Sequence, residues 1–179
     1  LEMENRWDLV KEKILDISIS LEKAGAKGIV ICSNTMHLIA EELQDNINIP
    51  IINVIDATAE EIQKNMIKSI GLLGTKFTME RDFYKKRLES KYGLKVLVPD
   101  HEDIELINDI IYKELAQGKV YLNSKKEIKR IVEKLVIDGA EGIILGCTEL
   151  PMIIDPNETD LPLFDTLKIH MNKAMEFSL

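Results

Sequence analysis

Apolar positions recur along this chain in two alternating periods. Trp7, Val10, Ile14, Ile17 and Leu21 fall at spacings of three and four, with Gly25 behind them as a stop signal, so an amphipathic helix is predicted from Trp7 to Lys23. The next run, Gly28-Ile29-Val30-Ile31-Cys32, is short, continuous and β-branched. It predicts a strand buried on both faces, followed by the polar turn Ser33-Asn34-Thr35 and a helix through Glu42. The alternation continues with a strand at 51–54, a helix at 57–68, a strand at 70–73, a helix at 78–91 and a strand at 94–98. Two helices, 103–116 and 124–138, precede a last clear strand at 142–146. Strand and helix in turn, with few hairpin signals, imply parallel sheets covered by helices: an α/β, doubly wound, flavodoxin-like architecture.

An internal repeat divides that architecture. GAKGIVICSNTMHLI, from Gly25, aligns without a gap on GAEGIILGCTELPMI, from Gly139, at an offset of 114 residues with five identities. Ser33 then stands opposite Cys147, Asn34 opposite Thr148, Thr35 opposite Glu149, and Cys32 opposite Gly146. A strand beginning at a proline follows each copy, in IPIINVID and in LPLFDT. Two similar lobes related by a pseudo-twofold are expected, the first built from 1–66 and 160–179 and the second from 67–159. The second lobe opens with SIGLLGTKFTM, whose strand starts near Gly71, 76 residues before Cys147. The corresponding step back from Ser33 falls before Leu1, so the first lobe is expected to lack about 45 to 60 residues of its opening strand-helix-strand part.

Size and charge narrow the function. With 179 residues, 45% of them hydrophobic, the chain can bury a substantial core. Its longest apolar stretches are four to six residues, against the ~20 needed to span a bilayer, and no signal-peptide pattern opens it. A cytoplasmic protein with no membrane partner is expected. A formal charge of −8 without a basic stripe argues against a nucleic-acid partner. The two cysteines, Cys32 and Cys147, each end or follow an apolar run far from the other, which fits free thiols better than a disulfide framework or a metal site.

In open α/β sheets ligands bind beyond the carboxyl ends of strands, where Ser33-Asn34-Thr35 and Cys147-Thr148-Glu149 both fall. Facing one another across a pseudo-twofold, Ser33 and Cys147 would approach one small molecule from opposite sides. That is the geometry of racemisation, in which one group removes the α-proton and the other delivers a proton to the opposite face. A thiol at a helix N-terminus is expected to have a lowered pKa.

The residues CSNTMH, GLLGTKFTMERDFY, GIILGCTELPMII and LPLFDT resemble the aspartate/glutamate racemases, and most closely the branch whose first motif reads C-x-N-T-M-H. The resemblance spreads over essentially the whole chain. It implies a two-lobed fold, a homodimer, and racemisation of an acidic amino acid without pyridoxal phosphate or metal, so no cofactor is expected. It places Cys147 at the second catalytic cysteine and Ser33 where many members carry the first. It places Asn34, Thr35, Thr148 and Glu149 among the groups that hold the substrate's carboxylate and ammonium, with Thr75 and Thr78 in the turn lining the cleft. Ser33 departs from the pattern, because a hydroxyl is a weaker acid and base than a thiol, and lopsided activity between enantiomers is expected.

Plainer readings stand beside these. Cys147 taken alone would read as a small buried hydrophobe, and Cys32 does read as buried strand packing. His37 is a candidate to contact a substrate carboxylate or assist the Ser33 hydroxyl, and equally a local packing residue. His170 and Asp165 might support a cleft, but Asp165 reads first as the N-cap before Thr166. Glu149 would be favoured near a helix start whatever its function, and the charged stretch Lys125 to Lys134 reads as a solvated helix face. Two other functions share these features: a single-cysteine decarboxylase of malonate-type acids on the same fold, and a non-catalytic protein that binds an acidic amino acid.

Overall fold

The computed structural model describes residues 7–179. Its strands are the short apolar runs and its helices the periodic stretches: α1 (Trp7–Lys23), β1 (Ile29–Val30), α2 (Ala40–Gln44), β2 (Ile51–Ile52), α3 (Val54–Lys64), β3 (Ser69–Gly74) and α4 (Lys76–Glu80). There follow α5 (Asp82–Tyr92), β4 (Lys95–Leu97), α6 (His101–Lys113), α7 (Leu122–Ile137), β5 (Ile143–Gly146), β6 (Leu163–Asp165) and α8 (Thr166–Ser178). All strand pairs are parallel. β1 and β2 form one sheet, and β4-β3-β5-β6 form the other. The α/β architecture with two parallel sheets follows from the alternation of elements. Among the described residues no helix is long and apolar enough to cross a membrane.

The four-stranded sheet is buried on both faces. Leu73, Ile143 and Leu145 pack against Ile107, Ile110 and Ile111 of α6 and Ile128, Ile131 and Leu135 of α7. On the other face Ile70, Leu72, Ile144 and Phe164 meet Ile55 and Ile62 of α3 and Tyr84 and Leu88 of α5. A third cluster unites Val10 of α1 with Ile29, Ile31, Ile39 and Leu43. These contacts cross the lobe boundaries expected from the repeat: α3 packs its apolar face on the larger sheet, and β6 pairs with β5.

The first sheet corrects two expectations. The run at 28–32 is buried on one face only, with Ile29 6% and Ile31 7% exposed but Val30 40% exposed. Strand alternation turns residues 30 and 32 outward, and Cys32, read from sequence as buried packing, is exposed. In α1 the buried line runs through Val10 and Ser18, whose hydroxyl donates to the Ile14 carbonyl at 2.8 Å, while Ile17 and Leu21 are exposed. The period was right and the face rotated, because at the second half of the helix a spacing of four replaces a spacing of three.

Helix boundaries moved where side chains cap backbone. α3 begins three residues before the expected Ala57, since the Asn53 carboxamide accepts from Ile55 N at 2.9 Å and Asp56 N at 3.3 Å. The helix expected over 78–91 is broken at Arg81, whose backbone is extended at φ −81° and ψ 142°. Asp165 does cap α8, accepting from Lys168 N at 3.2 Å.

Candidate active site

The carboxyl ends of β3 and β5 bring the cleft together. Gly74 and Gly146, register partners across these strands, leave room that side chains would fill: a Cβ on Gly146 would lie 2.7 Å from the Leu73 carbonyl, and one on Gly74 would lie 3.0 Å from Thr78 Cγ2. Thr75 follows Gly74 and caps α4, its hydroxyl accepting from Thr78 N at 3.3 Å. Cys147 follows Gly146 and leads into a three-residue 3₁₀ turn, Leu150–Met152.

The turn after β1 meets these two from the other side. A cavity of about 250 Å³ is lined by Cys32, Ser33, Asn34 and Thr35 on one wall and by Thr75, Gly146, Cys147, Thr148 and Glu149 on the other, with Ile111, Tyr112 and Ala116 closing it. Its volume is below the ~300 Å³ at which drug-sized sites begin, so it fits a small metabolite. Larger hollows elsewhere, such as one of about 880 Å³ between α7 and residues 153–163, do not include these turns. Among the described residues no three His, Cys, Asp or Glu side chains are grouped to hold a metal ion.

Two hydrogen-bonded links cross the floor of the cleft. The Thr35 and Thr75 hydroxyls are 3.0 Å apart and those of Thr75 and Thr78 are 3.1 Å apart, all three side chains being buried. Asn34 Nδ2 donates to Thr166 Oγ1 at 3.0 Å, and Thr166 Oγ1 donates to the Leu145 carbonyl at 2.8 Å. Thr166 has no counterpart in the sequence reading beyond its place after the Asp165 cap; nor had the apolar α6 wall, for which no motif gives a signal.

Cys147 sits in an environment opposite to the one expected. Its Sγ donates to Glu149 Oε2 at 2.8 Å, and Thr148 Oγ1 donates to the same oxygen at 2.7 Å. Burial first, and the Glu149 carboxylate second, push the thiol up to about 12. The backbone N–H groups of Glu149 and Thr148 work the other way without overcoming it, so the thiol is protonated at neutral pH. Burial works against ionisation of Glu149, but the hydrogen bonds from Cys147 and Thr148 outweigh it and hold its carboxyl below the ordinary range.

On the facing wall, Ser33 Oγ accepts only a long contact from Met36 N, 3.4 Å. His37 does not reach that hydroxyl. Its Nδ1 bonds the Ser33 carbonyl at 2.8 Å and its Nε2 accepts from Val54 N at 3.1 Å, which assigns the proton to Nδ1. Burial lowers the pKa of His37 to about 4. Both ring nitrogens are engaged, and the residue is a pin between the turn and α3 rather than a base. His170 packs edge-on against it, ring centroids 5.6 Å apart, and bonds the Ile52 carbonyl at 2.5 Å. Of the residues singled out in the sequence, eight line the cavity, Cys32 among them, Thr78 lies beneath Thr75, and His37 stands behind the wall.

Comparison with known proteins bears on this cleft. The model of the Asp/Glu/Hydantoin racemase family matches residues 1–174. A solved structure from Yersinia pestis, described as an Asp/Glu racemase candidate, superposes with a TM-score of 0.94 at 39% identity, covering 99% of this chain and 77% of that one. An aspartate racemase homologue from Pyrococcus horikoshii superposes with a TM-score of 0.86 at 42% identity, over 97% of this chain and 76% of its own. The broad specificity amino-acid racemase RacX of Bacillus subtilis is 26% identical over 159 residues, 89% of this chain and 68% of the relative. The chain spans about half the length of the curated glutamate racemases that it matches.

Proposed function

The chain belongs to the Asp/Glu/Hydantoin racemase family, and from that membership we propose that it racemises an acidic amino acid, aspartate or glutamate, by proton transfer between Cys147 and Ser33 across the cleft. The observation that carries the reading is that one small cavity is lined by both the Ser33-Asn34-Thr35 and the Cys147-Thr148-Glu149 turns. Placing an α-carbon between them puts one proton-transfer group on each face.

The remaining lining suits an amino acid's head. Thr75 already accepts from Thr78 N, so its hydroxyl proton can point to Thr35, and the Thr35 proton is then free for a substrate carboxylate. Glu149 offers its carboxylate to the ammonium. An ammonium docked there offsets the smaller of the two causes that raise the Cys147 thiol, the Glu149 charge, which favours release of the thiol proton to solvent and a thiolate with the substrate in place. The thiolate takes the α-proton, and the Ser33 side returns one to the opposite face. Because a hydroxyl is the poorer partner, the enantiomer whose α-hydrogen faces Cys147 exchanges faster.

The test is Cα proton exchange by NMR in D2O with both enantiomers of aspartate and glutamate, on the full-length protein. Exchange that depends on Cys147 supports the reading. Binding without exchange would instead favour a sensor, and release of CO2 from a malonate-type acid would favour the decarboxylase.

A further inference from the structure

The segment after each copy of the repeat folds back on the helix before it, and the two copies fill that contact differently. In the first, Ile39, Leu43 and Ile47, four residues apart, join one buried cluster with Val10 of α1. A lysine near the start of α1 ties the segment down, Lys11 to Glu42, and its counterpart on α7 does the same, Lys125 to Glu158 at 2.6 Å. By the offset of the repeat Ile39 and Ile47 correspond to Ile153 and Leu161, but Leu43 corresponds to Asn157. That residue is exposed in the 3₁₀ turn Pro156–Glu158, and its side-chain amide donates to Asp155 at 2.8 Å. Where Leu43 fills the space beside α1, the hollow of about 880 Å³ lies beside α7.

Val132 and Val136 of α7 line this hollow together with Ile153, Ile154 and Leu161, and Val136 stays 42% exposed. Its charged lining is mostly acidic: Glu133, Asp155, Glu158 and Asp160 stand against Lys125 and Lys129, and Lys125 is already paired with Glu158. A contiguous apolar surface edged by charge is an interaction site, and an acidic edge selects a basic occupant. A second copy of this chain, with its formal charge of −8, is disfavoured there. The first copy shows the shape that such a groove holds, apolar side chains four residues apart, which is the spacing of one helix face. We propose that the hollow beside α7 is a docking groove for a basic amphipathic helix of another protein, which seats leucine-sized side chains where Leu43 sits in the first copy. The groove lies outside the cleft, and the proposal does not depend on what the cleft turns over.

The probe is a labelled helical peptide with leucines four residues apart on a background of alanine and lysine, beside a twin with glutamate in place of lysine. Fluorescence anisotropy on the whole protein is expected to show the lysine peptide binding at least about tenfold more tightly than its twin, with added salt weakening it. Val136→Lys, at a half-exposed helix position that tolerates the change, is expected to weaken the lysine peptide about tenfold or more, by the loss of one buried apolar side chain and the gain of a like charge. Hydrogen exchange on the unchanged protein reads the location without any variant, and the peptide is expected to protect α7 and residues 153–163. Absence of binding, equal affinity for the twins, protection confined to other elements, or full affinity in folded Val136→Lys would each overturn the proposal. A dimer in sedimentation that Val136→Lys dissolves, in a protein that ignores the peptide, would give the groove to a second copy and overturn it as well.

Discussion

Gly25 and Gly139 end their helices in the same way, whereas the strands that follow meet different fates. Both glycines have left-handed backbone, φ 96° and 101°, and both copies repeat the same bonds: Gly25 N to Glu22 O beside Ala26 N to Leu21 O, and Gly139 N to Val136 O beside Ala140 N to Leu135 O. Ile29 N and Ile143 N each donate to a proline carbonyl, Pro50 and Pro162, at 2.9 Å. Beyond that point β5 lies between β3 and β6 with its residues buried, while β1 pairs with β2 and exposes Val30. The same local code produces the same turn, and the neighbours decide how much of the strand is covered. The cleft inherits the difference: its second wall is a half-buried thiol on a carboxylate, its first a loosely held hydroxyl.

The sharpest way to break the comparison is to make the walls chemically alike. Cys147→Ser leaves a hydroxyl on each side and is expected to lower Cα exchange on the order of 10³-fold, for both enantiomers. Ser33→Ala should cost less and mostly for one enantiomer, and Ser33→Cys should narrow the gap between them. Chiral chromatography of each direction separately checks this. Equal losses from Cys147→Ser and Ser33→Ala would show that the walls share the work evenly.

The first wall has its own weakness, its buried pin. His37 titrates at about 4 in place of the usual 6.5, so the unfolded chain takes up a proton before the folded one does. Its stabilising contribution is complete above about 6.5, declines as pH falls and is lost by the time pH passes through about 4, amounting to on the order of 3 kcal/mol. Urea unfolding between pH 7 and pH 4 should show that slope, and His37→Gln should flatten it. Asp56, where burial opposes ionisation but Arg87 and Lys91 outweigh it, titrates near 2 and contributes only further down. An unchanged slope in the variant would move the acid sensitivity to another group, first of all His170, whose pKa burial also lowers.

A smaller effect tests whether the two turns are energetically as alike as they are in geometry. Gly25→Ala and Gly139→Ala each force a Cβ into left-handed backbone, and nothing lies within 4 Å of either Cβ position. Each should therefore cost the same ~1–2 kcal/mol of backbone strain, read as equal shifts in urea midpoint.

That repeat was the most legible part of the molecule, because identical residues at a fixed offset demand identical backbone. The facing of Ser33-Asn34-Thr35 and Cys147-Thr148-Glu149 was legible for the same reason. What the pattern did not carry was anything set by a neighbour distant in sequence. Cys32 and Ile17 are exposed because of what packs beside them, a fact absent from their own spacing. Thr166 matters through a bond to Asn34, 132 residues away. The Cys147 thiol departs from the expected low pKa because a 3₁₀ turn stands where the motif suggests a helix start, and because the Glu149 carboxylate lies on the sulfur two residues before it.

That last effect can be isolated. Glu149→Gln keeps an oxygen near Cys147 but removes the charge, so the thiol, raised by burial and then by Glu149, should ionise more readily. Alkylation of Cys147 by iodoacetamide at pH 8, followed by mass spectrometry that resolves its peptide from that of Cys32, should accelerate on the order of tenfold. Racemisation should fall in the same variant, since the ammonium loses its carboxylate. A more reactive sulfur in a slower enzyme would mean that the second wall is tuned to hold its proton until an amino acid arrives. Slower alkylation would mean instead that Glu149 draws the proton off the resting thiol, and the contrast between the walls would then lie in a charged dyad facing a neutral hydroxyl.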